Sequence, residues 1–252
     1  MNYEKAFDKL VEQVRSSPNR EHHMMIKTFW GLFTFKRRTQ KRIDQVYADL
    51  QRRGLLLDID KKQFPKEPDN KWLTLKLFEI QVPEDRWFES MKKKTYESEK
   101  EVENFFITPL FLNLGYDEED FSYGHPIKIP QKLHAKNQLG EHPSFPDLII
   151  FNGNDRSPEN VLIILEAKKS ILDQKKDQEL LDTAESEAKL YAAYMPTHIC
   201  VVTNGDSLRI FDPFPNEGQD SPIMFIHRSE LKEKWNSLYM ILGKQTVLER
   251  KK

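Results

Sequence analysis

The sequence predicts an α/β domain preceded by a smaller, mainly helical module. In the first part, apolar residues recur at helical spacing up to residue 53, and short alternating runs follow between residues 55 and 77. The second part places continuous apolar runs of strand length between helical stripes, which is typical of a buried sheet covered by helices. We therefore expect two domains, 1–92 and 93–252, joined at the charged, Pro-containing stretch Val82–Lys94.

Composition limits the class of protein. The 252 residues are 38% hydrophobic and include 16 phenylalanines, so the chain can bury a core. No run approaches the roughly 18 apolar residues of a membrane span, and the N-terminus lacks the apolar core of a signal peptide. We therefore expect a cytoplasmic protein with no membrane partner. The single cysteine, Cys200, excludes a disulfide within these residues and a cysteine-based zinc cluster.

The net charge of −1 hides an asymmetry between the two parts of the chain. Residues 1–95 carry 21 Lys and Arg against 14 Asp and Glu, whereas residues 96–252 carry 18 against 26. The two parts therefore have net charges of +7 and −8. This division favours a first part that meets a polyanion and a second part that concentrates carboxylates. Two ordinary solvated surfaces are the alternative.

Three helices and a pair of strands are predicted in the first part. They are the helices Tyr3–Val14, Glu21–Phe33 and Thr39–Arg53, the last between the N-cap Thr39 and Gly54, and the strands Leu55–Asp60 and Trp72–Leu77. Helices followed by such a hairpin resemble a winged helix. The string FTFKRRTQKRIDQVYADLQRRGLL is also similar to small helical modules found beside restriction-type nuclease domains.

Basic residues crowd the start of the third helix, which would be the recognition helix of a winged helix. Such residues would lie where phosphates are bound, so DNA is the expected partner. The candidates are Arg37, Arg38, Lys41 and Arg42 on the helix and Lys61, Lys62 and Lys66 on the wing. The alternative is a protein-docking or dimerisation role, so a homodimer or a separate regulatory or motor protein stays open as a partner.

The second part opens with a helix and continues with a hairpin. An apolar stripe predicts a helix over Tyr96–Gly115, on which Glu99 and Glu103 fall one turn apart. Leu148–Phe151 is predicted as a short strand, and a turn rich in Asn and Gly separates it from the apolar run Val161–Lys168.

The buried strand of this hairpin ends in a carboxylate and an amine. Because side chains alternate along a strand, Glu166 and Lys168 point to the same face. If the neighbouring strand presents Asp147 at the same level, two carboxylates and an ammonium group meet. Carboxylates suit Mg²⁺ or Mn²⁺, which would stabilise charge on a phosphate and acidify a bound water that Lys168 would orient or activate. Taken singly, these residues would also fit a turn and a surface salt bridge.

The order Pro146-Asp147, then Glu166-Ala167-Lys168, resembles the PD-(D/E)xK nuclease superfamily. Around these residues, other segments resemble the N-terminal nuclease domain of type I restriction enzyme R subunits, and the similarity covers roughly residues 96–240. These segments are Ser98–Tyr116, Glu187–Ala193 and His198–Asp212. The resemblance implies a restriction-endonuclease-like mixed sheet flanked by helices.

The resemblance also implies roles for single residues. Asp147 and Glu166 would bind the metal, Lys168 would be the catalytic lysine, and Glu103 would be the leading-helix acid that acts near the metal. Glu99 is the alternative for that last role.

The chain departs from the family on the helix after the site. Where the family commonly places Gln and Tyr four residues apart, this chain has Glu187 and Tyr191, which still share a helix face. Because Glu187 cannot donate hydrogen bonds as an amide can, it would bind metal or repel phosphate instead. His142 and the basic stretch Phe121–Gly140 are further candidates for contacts with substrate, and a solvated loop is the favoured alternative for that stretch.

The implied function is a metal-dependent endodeoxyribonuclease of restriction or defence type. The sequence contains no P-loop motif GxxxxGK[ST], so we expect a stand-alone nuclease without its own motor. One site cuts one strand, so a double-strand break requires a dimer or two successive events. Two alternatives stay open: a nucleic-acid-binding adaptor or regulator on an inactive nuclease fold, and an RNase on the same scaffold.

Overall fold

A computed structural model of the protein describes residues 3–33, 35, 37–59, 63–129, 143–171, 173–215 and 223–251. The chain forms two units, of which the first is Met1–Val82 with Trp235–Lys252 and the second is Pro83–Lys234. This division differs from the expected boundary near residue 92 in two respects. The stretch expected to be a connector contains a helix of the second unit, and the C-terminal residues from Trp235 onward belong to the first unit.

The first unit contains helices and a three-stranded antiparallel sheet in the order β1–β3–β2. Its N-terminal elements are α1 (Tyr3–Ser16), β1 (Glu21–Met25), α2 (Ile26–Gly31), α3 (Gln40–Arg52), β2 (Leu55–Leu57) and β3 (Trp72–Leu77). The apolar stripes of α1 and α3 pack into one core with Phe29 and Leu75. The predicted helix ends agree with α1 and α3 to within two residues, and Gly54 takes the left-handed conformation (φ +73°) that follows α3.

One predicted helix of the first unit is wrong over its first five residues. Glu21–Met25 forms β1, and only Ile26–Gly31 is helical. β1 pairs with β3 along its whole length, from Glu21 opposite Lys76 to Met25 opposite Trp72. Because this pairing satisfies the backbone groups of β1, it outweighs the helical periodicity of the local sequence.

The second unit is built around a six-stranded mixed sheet in the order β11–β10–β9–β8–β7–β4, in which β8 and β9 are parallel and the other pairs antiparallel. Its elements are α4 (Asp85–Lys93), α5 (Glu99–Val102), α6 (Thr108–Asn113), β4 (Phe121–Tyr123), β5 (Ile127–Lys128), β6 (Pro143–Ser144), β7 (Leu148–Phe151), β8 (Val161–Ala167), α7 (Gln174–Ala192), β9 (Cys200–Thr203), β10 (Ser207–Phe211) and β11 (Met224–His227). This sheet, flanked by helices, confirms the predicted α/β class.

Two further helices, α8 (Leu231–Leu242) and α9 (Lys244–Lys251), follow the sheet, and the division between the units falls within α8. None of the described helices has the length and apolarity needed to cross a membrane.

The predicted hairpin of the second unit is confirmed. β7 and β8 are antiparallel, and every residue of both strands is buried. α7 covers this part of the sheet: Ala184 and Ala188 on the helix share a core with Ile149, Ile164 and Val202. The small alanine side chains allow the helix to approach the sheet closely. This packing places the second half of α7 over the end of β8.

The predicted leading helix forms as α5 and α6, joined by a π-helical turn over Glu103–Ile107. It begins at the N-cap Ser98, whose hydroxyl accepts a hydrogen bond from the Glu101 N–H. π-helical turns occur frequently at functional sites, because they shift side chains out of the regular helical register.

Candidate active site

The paired ends of β7 and β8 hold Asp147 and Glu166 side by side. Leu148 lies opposite Leu165, so the residue before β7 is level with Glu166. The Asp147 N–H donates to Glu166 Oε1 at 3.2 Å, and the Ala167 N–H donates to Asp147 Oδ2 at 2.7 Å. The expectation that a neighbouring strand presents Asp147 beside Glu166 is confirmed.

Lys168 extends the sheet one residue beyond β8 and directs its amine toward two carboxylates. Its backbone N–H donates to the Thr203 carbonyl at 2.8 Å. Its Nζ lies 3.5 Å from Glu166 Oε2 and 3.0 Å from Glu187 Oε2. Asp147, Glu166 and Lys168 therefore lie together at one end of the sheet, as the sequence predicts.

The surroundings of Glu166 oppose its ionisation. Burial and then the neighbouring Asp147 carboxylate raise the pKa of Glu166 to about 9, although Lys168 and the Asp147 N–H favour the charged form. Burial lowers the pKa of Lys168, but the hydrogen bond with Glu187 and the charge of Glu166 outweigh it, so the net shift is upward. The Lys168 amine is therefore held as an ammonium ion. The Glu166 carboxyl beside it has too little positive charge in its surroundings to ionise readily.

Glu187 and Tyr191 are four residues apart on α7, so they share a helix face as their spacing predicts, and that face lies near the Asp147 and Glu166 carboxylates. Glu187 forms an ion pair with Lys168, a role that was not among the expected ones. Burial, followed by the charges of Glu166 and Glu187, raises the pKa of Tyr191 to about 12, so its hydroxyl stays protonated as a hydrogen-bond donor. Pairing between Glu187 and Lys168 has no sequence signature because it depends on how α7 crosses the sheet.

Glu103 is buried on the leading helix, where its carboxylate pairs with Lys100 at 2.5 Å. Lys100 Nζ lies 4.8 Å from the centre of the Tyr123 ring, and Tyr123 pairs with Leu148, the residue after Asp147. This chain of neighbours places Glu103 toward the Asp147 side of the sheet but provides no contact between the two acids. Its role as a metal ligand remains a prediction. Glu99, the alternative, is exposed.

The carboxylates of Asp147 and Glu166 suit a hard divalent cation that keeps water ligands. Each uses one oxygen for a backbone N–H, and within the described residues the second oxygen has no backbone donor. No group of three or more His, Cys, Asp or Glu side chains in the described part of the chain is placed to hold a metal ion. Two carboxylates are nevertheless a common protein contribution to Mg²⁺ sites, where water and phosphate oxygens complete the shell. A cation would also relieve the repulsion that raises the pKa of Glu166.

The four basic residues predicted to contact nucleic acid have different surroundings. Arg38 donates to the Glu67 carbonyl at 2.9 Å and pairs with Asp69 at 2.9 Å, so it fastens the segment before β3. The guanidinium of Arg42 lies over the Phe35 ring at 5.0 Å. Arg37 and Lys41 are exposed, and neither side chain forms an ion pair with a described residue.

Several predicted contacts fall outside the described residues. They are Lys61 and Lys62 on the wing, His142, and the part of the basic stretch Phe121–Gly140 that follows Ile129. Lys66, the remaining wing lysine, is exposed.

Two backbone groups of the site were not foreseen from the sequence. The Ala167 N–H orients Asp147, and the Thr203 carbonyl fixes Lys168. Backbone groups leave no residue-type signal, so only the strand register could have indicated them.

Comparisons with protein-family models, curated proteins and solved structures find no significant match, so the function is argued from the geometry of this site.

Proposed function

We propose that the protein is a divalent-metal-dependent nuclease that hydrolyses DNA phosphodiester bonds. The observation that carries the proposal is the arrangement of Asp147, Glu166 and Lys168. Two carboxylates are locked together by backbone hydrogen bonds, and an ammonium group lies 3.5 Å from one of them. Paired carboxylates beside a fixed cationic donor suit phosphoryl chemistry, in which negative charge increases on the phosphate oxygens.

Asp147 and Glu166 would hold Mg²⁺ or Mn²⁺, which supplies charge neutralisation at the phosphate and a more acidic water. Lys168 would act as a charged hydrogen-bond donor, because its raised pKa leaves no free amine to serve as a base near neutral pH. It would orient the attacking water or stabilise the pentavalent phosphate. Glu187 would hold the Lys168 amine in place until a phosphate arrives.

The first unit supports DNA as the substrate. Its order of helix, strand, two helices and two strands, with β3 between β1 and β2, is consistent with a winged helix. In that arrangement α3 would be the recognition helix. Arg37 and Lys41, which are exposed before and within its first turn, would contact phosphates, whereas Arg38 would keep its structural contacts.

One observation favours a second candidate function, a nucleic-acid-binding adaptor on an inactive nuclease fold. Glu187 forms an ion pair with Lys168, with 3.0 Å between Glu187 Oε2 and Lys168 Nζ. The negative charge of Glu187 opposes the approach of phosphate. In this case the first unit would bind nucleic acid or a partner protein, and the second would act as a platform.

A cleavage assay separates the two functions. Purified protein is incubated with supercoiled plasmid, linear duplex, single-stranded DNA and RNA in Mg²⁺, Mn²⁺ or EDTA, beside an Asp147→Ala variant. A nuclease cleaves DNA only with metal, and Asp147→Ala abolishes the activity. Absence of metal-dependent cleavage of every substrate would favour the adaptor, and cleavage of RNA alone would reassign the substrate.

A further inference from the structure

A cleft of about 550 Å³ opens in the second unit on the same side of the sheet as α7. Its walls come from three segments: the chain after β8 with the first turns of α7, the turn between β9 and β10, and the edge strand β11. A volume of this size falls within the range of sites that bind small molecules.

The cleft begins next to Lys168. β8 and β9 are parallel, and Lys168 bonds through its N–H to Thr203, so Asn204, which lines the cleft, is the next residue on the neighbouring strand. Ser170, two residues after Lys168, also lines it. Because neighbouring strands lie about 4.8 Å apart, Asn204 brings the edge of the cleft beside Lys168, the cationic residue of the candidate site.

The lining offers a flat apolar face and a fixed amide donor. Phe225 on β11 is 49% exposed and supplies the apolar surface, whereas Leu181 of α7, which also lines the cleft, is only 3% exposed. Asn204 is only 3% exposed, and its Oδ1 accepts the N–H groups of Asp206 and Ser207 at 3.1 and 2.9 Å. These bonds fix the amide, while its Nδ2 group donates to no described residue. Because Asn204 lines the cleft, this N–H group is available to a ligand that accepts a hydrogen bond.

The charges of the cleft disfavour a phosphate as its occupant. Asp177 accepts hydrogen bonds from the Ser170 hydroxyl at 2.9 Å and the Ile171 N–H at 2.8 Å, and Asp206 pairs with Arg228 at 2.8 Å. No lysine or arginine lines the cleft among the described residues. A neutral, planar group with hydrogen-bond acceptors fits these surroundings better than an anion does.

We propose that the cleft receives an unpaired nucleobase of the substrate strand, from the nucleotide next to the one whose phosphate lies at Asp147 and Glu166. The base stacks on Phe225 and accepts a hydrogen bond from Asn204 Nδ2. A base in a duplex can occupy the cleft only by leaving the stack. This inference rests on the proposed function and specifies its substrate as single-stranded or locally unpaired nucleic acid.

Binding in EDTA tests the cleft separately from catalysis. Fluorescence anisotropy compares a short labelled single-stranded DNA with its duplex. Phe225→Ala is expected to weaken single-strand binding about tenfold, the effect of losing one stacked base, and to leave duplex binding unchanged. The matched control is Phe214→Ala, which removes a phenylalanine that is 52% exposed and lies outside the cleft.

A second variant tests the amide donor. Asn204→Asp keeps an acceptor for the two N–H groups of the turn but replaces the donor, so single-strand binding should weaken while the melting temperature stays close to that of the wild type.

Competition with deoxynucleoside monophosphates distinguishes a base within a strand from a free nucleotide. A monophosphate that competes at lower concentration than the oligonucleotide would overturn the strand assignment.

The two proposals fail in different ways. If Phe225→Ala binds single strands as well as the wild type and Phe214→Ala do, the cleft proposal is wrong even where metal-dependent cleavage is observed. If the wild type cleaves nothing but Phe225→Ala and Asn204→Asp still lose single-strand binding, the cleft proposal holds and the hydrolytic function fails.

Discussion

The burial of Glu166 and its proximity to Asp147 disfavour its ionised form, and this affects the stability of the fold. Its pKa is raised from 4.5 to about 9, so the folded chain binds a proton that the unfolded chain releases between these two pH values. The protonated Glu166 carboxyl contributes to the free energy of unfolding fully below about pH 4.5, and this contribution is lost as the pH rises toward 9. Near neutral pH, folding therefore includes an unfavourable proton uptake at this residue.

Glu166→Gln is expected to stabilise the metal-free protein, because the amide requires no proton uptake on folding. In EDTA near neutral pH, the melting temperature of the unfolding transition that contains the second unit should rise by about 3 °C or more. Glu179→Gln, at an exposed position on α7, is the control and should leave the melting temperature unchanged. A lower melting temperature in Glu166→Gln would mean that Glu166 is ionised and stabilised without metal.

The residues of the site could be predicted from sequence where a local pattern specified them. Alternation along β8 places Glu166 and Lys168 on one face, and the turn before β8 indicates the hairpin that brings Asp147 beside them. The partner of Lys168 could not be predicted, since Glu187 reaches it only through the tertiary placement of α7. The cleft beside Asn204 likewise depends on three segments that are distant in sequence.

At the scale of elements, Arg156 ties the turn between β7 and β8 to the segment that leads into β4. Its two terminal nitrogens donate to the carbonyls of Asp120, Gly153, Glu119 and Phe121 at 2.7 to 3.2 Å. The guanidinium also lies 4.9 Å from the centre of the Phe151 ring. A single side chain thus fixes the end of the hairpin opposite to the one that carries the candidate site.

Arg156→Lys should destabilise the second unit by about 2 kcal/mol, because an ammonium ion cannot reproduce the planar fork that serves four carbonyls. Urea denaturation followed by tryptophan fluorescence and circular dichroism measures the change. Arg86→Lys, the same substitution at an exposed side chain, is the control and should lie within about 0.5 kcal/mol of the wild type. An equal effect of both substitutions would rule out a special role for the four carbonyl contacts.

Elements were predictable where periodicity is strong and local. α1, α3, β3 and the β7–β8 hairpin follow their sequence patterns, whereas β1 does not, because it is stabilised by pairing with β3. The helix α4 was missed because charged residues and Pro83 mark the stretch Val82–Lys94 as a connector, although Phe88 and Met91 bury its apolar side. The π-helical turn after Val102 has no simple sequence signal.

At the scale of the whole molecule, the first unit includes residues from both ends of the chain. Trp235 donates to the Gln81 carbonyl at 2.8 Å, and Glu249 pairs with Lys76 at 2.5 Å. Trp235 and Leu238 are almost fully buried. Residues 1–82 therefore depend on α8 and α9 for part of their stability.

Removing residues 235–252 should destabilise the first unit strongly, by more than the roughly 3 kcal/mol that truncation of one large buried side chain costs. Limited proteolysis should then cleave within residues 1–82 much faster than in the full chain. A variant that ends at Arg250 should resist proteolysis as the full chain does. Equal protection of residues 1–82 in the long truncation would show that they fold without the C-terminal helices.

The basic face of α3 predicts salt-dependent DNA binding. Replacing both Arg37 and Lys41 with Ala should weaken duplex binding across sequences and reduce the slope of log K against log salt by about 2. Lys5→Ala with Lys9→Ala removes the same charge from exposed positions on α1 and is the control. An equal loss in both double variants would indicate a general charge effect and no specific contact by α3.

The account depends most directly on the amine at the end of β8. Single-turnover cleavage of labelled DNA in Mg²⁺ should slow by at least about a hundredfold in Lys168→Ala, whereas DNA binding should stay within about twofold of the wild type. Lys189→Ala is the control: it removes an amine on α7 that also pairs with a glutamate, and it should cleave at the wild-type rate. Cleavage by Lys168→Ala at the wild-type rate would contradict the proposed active site.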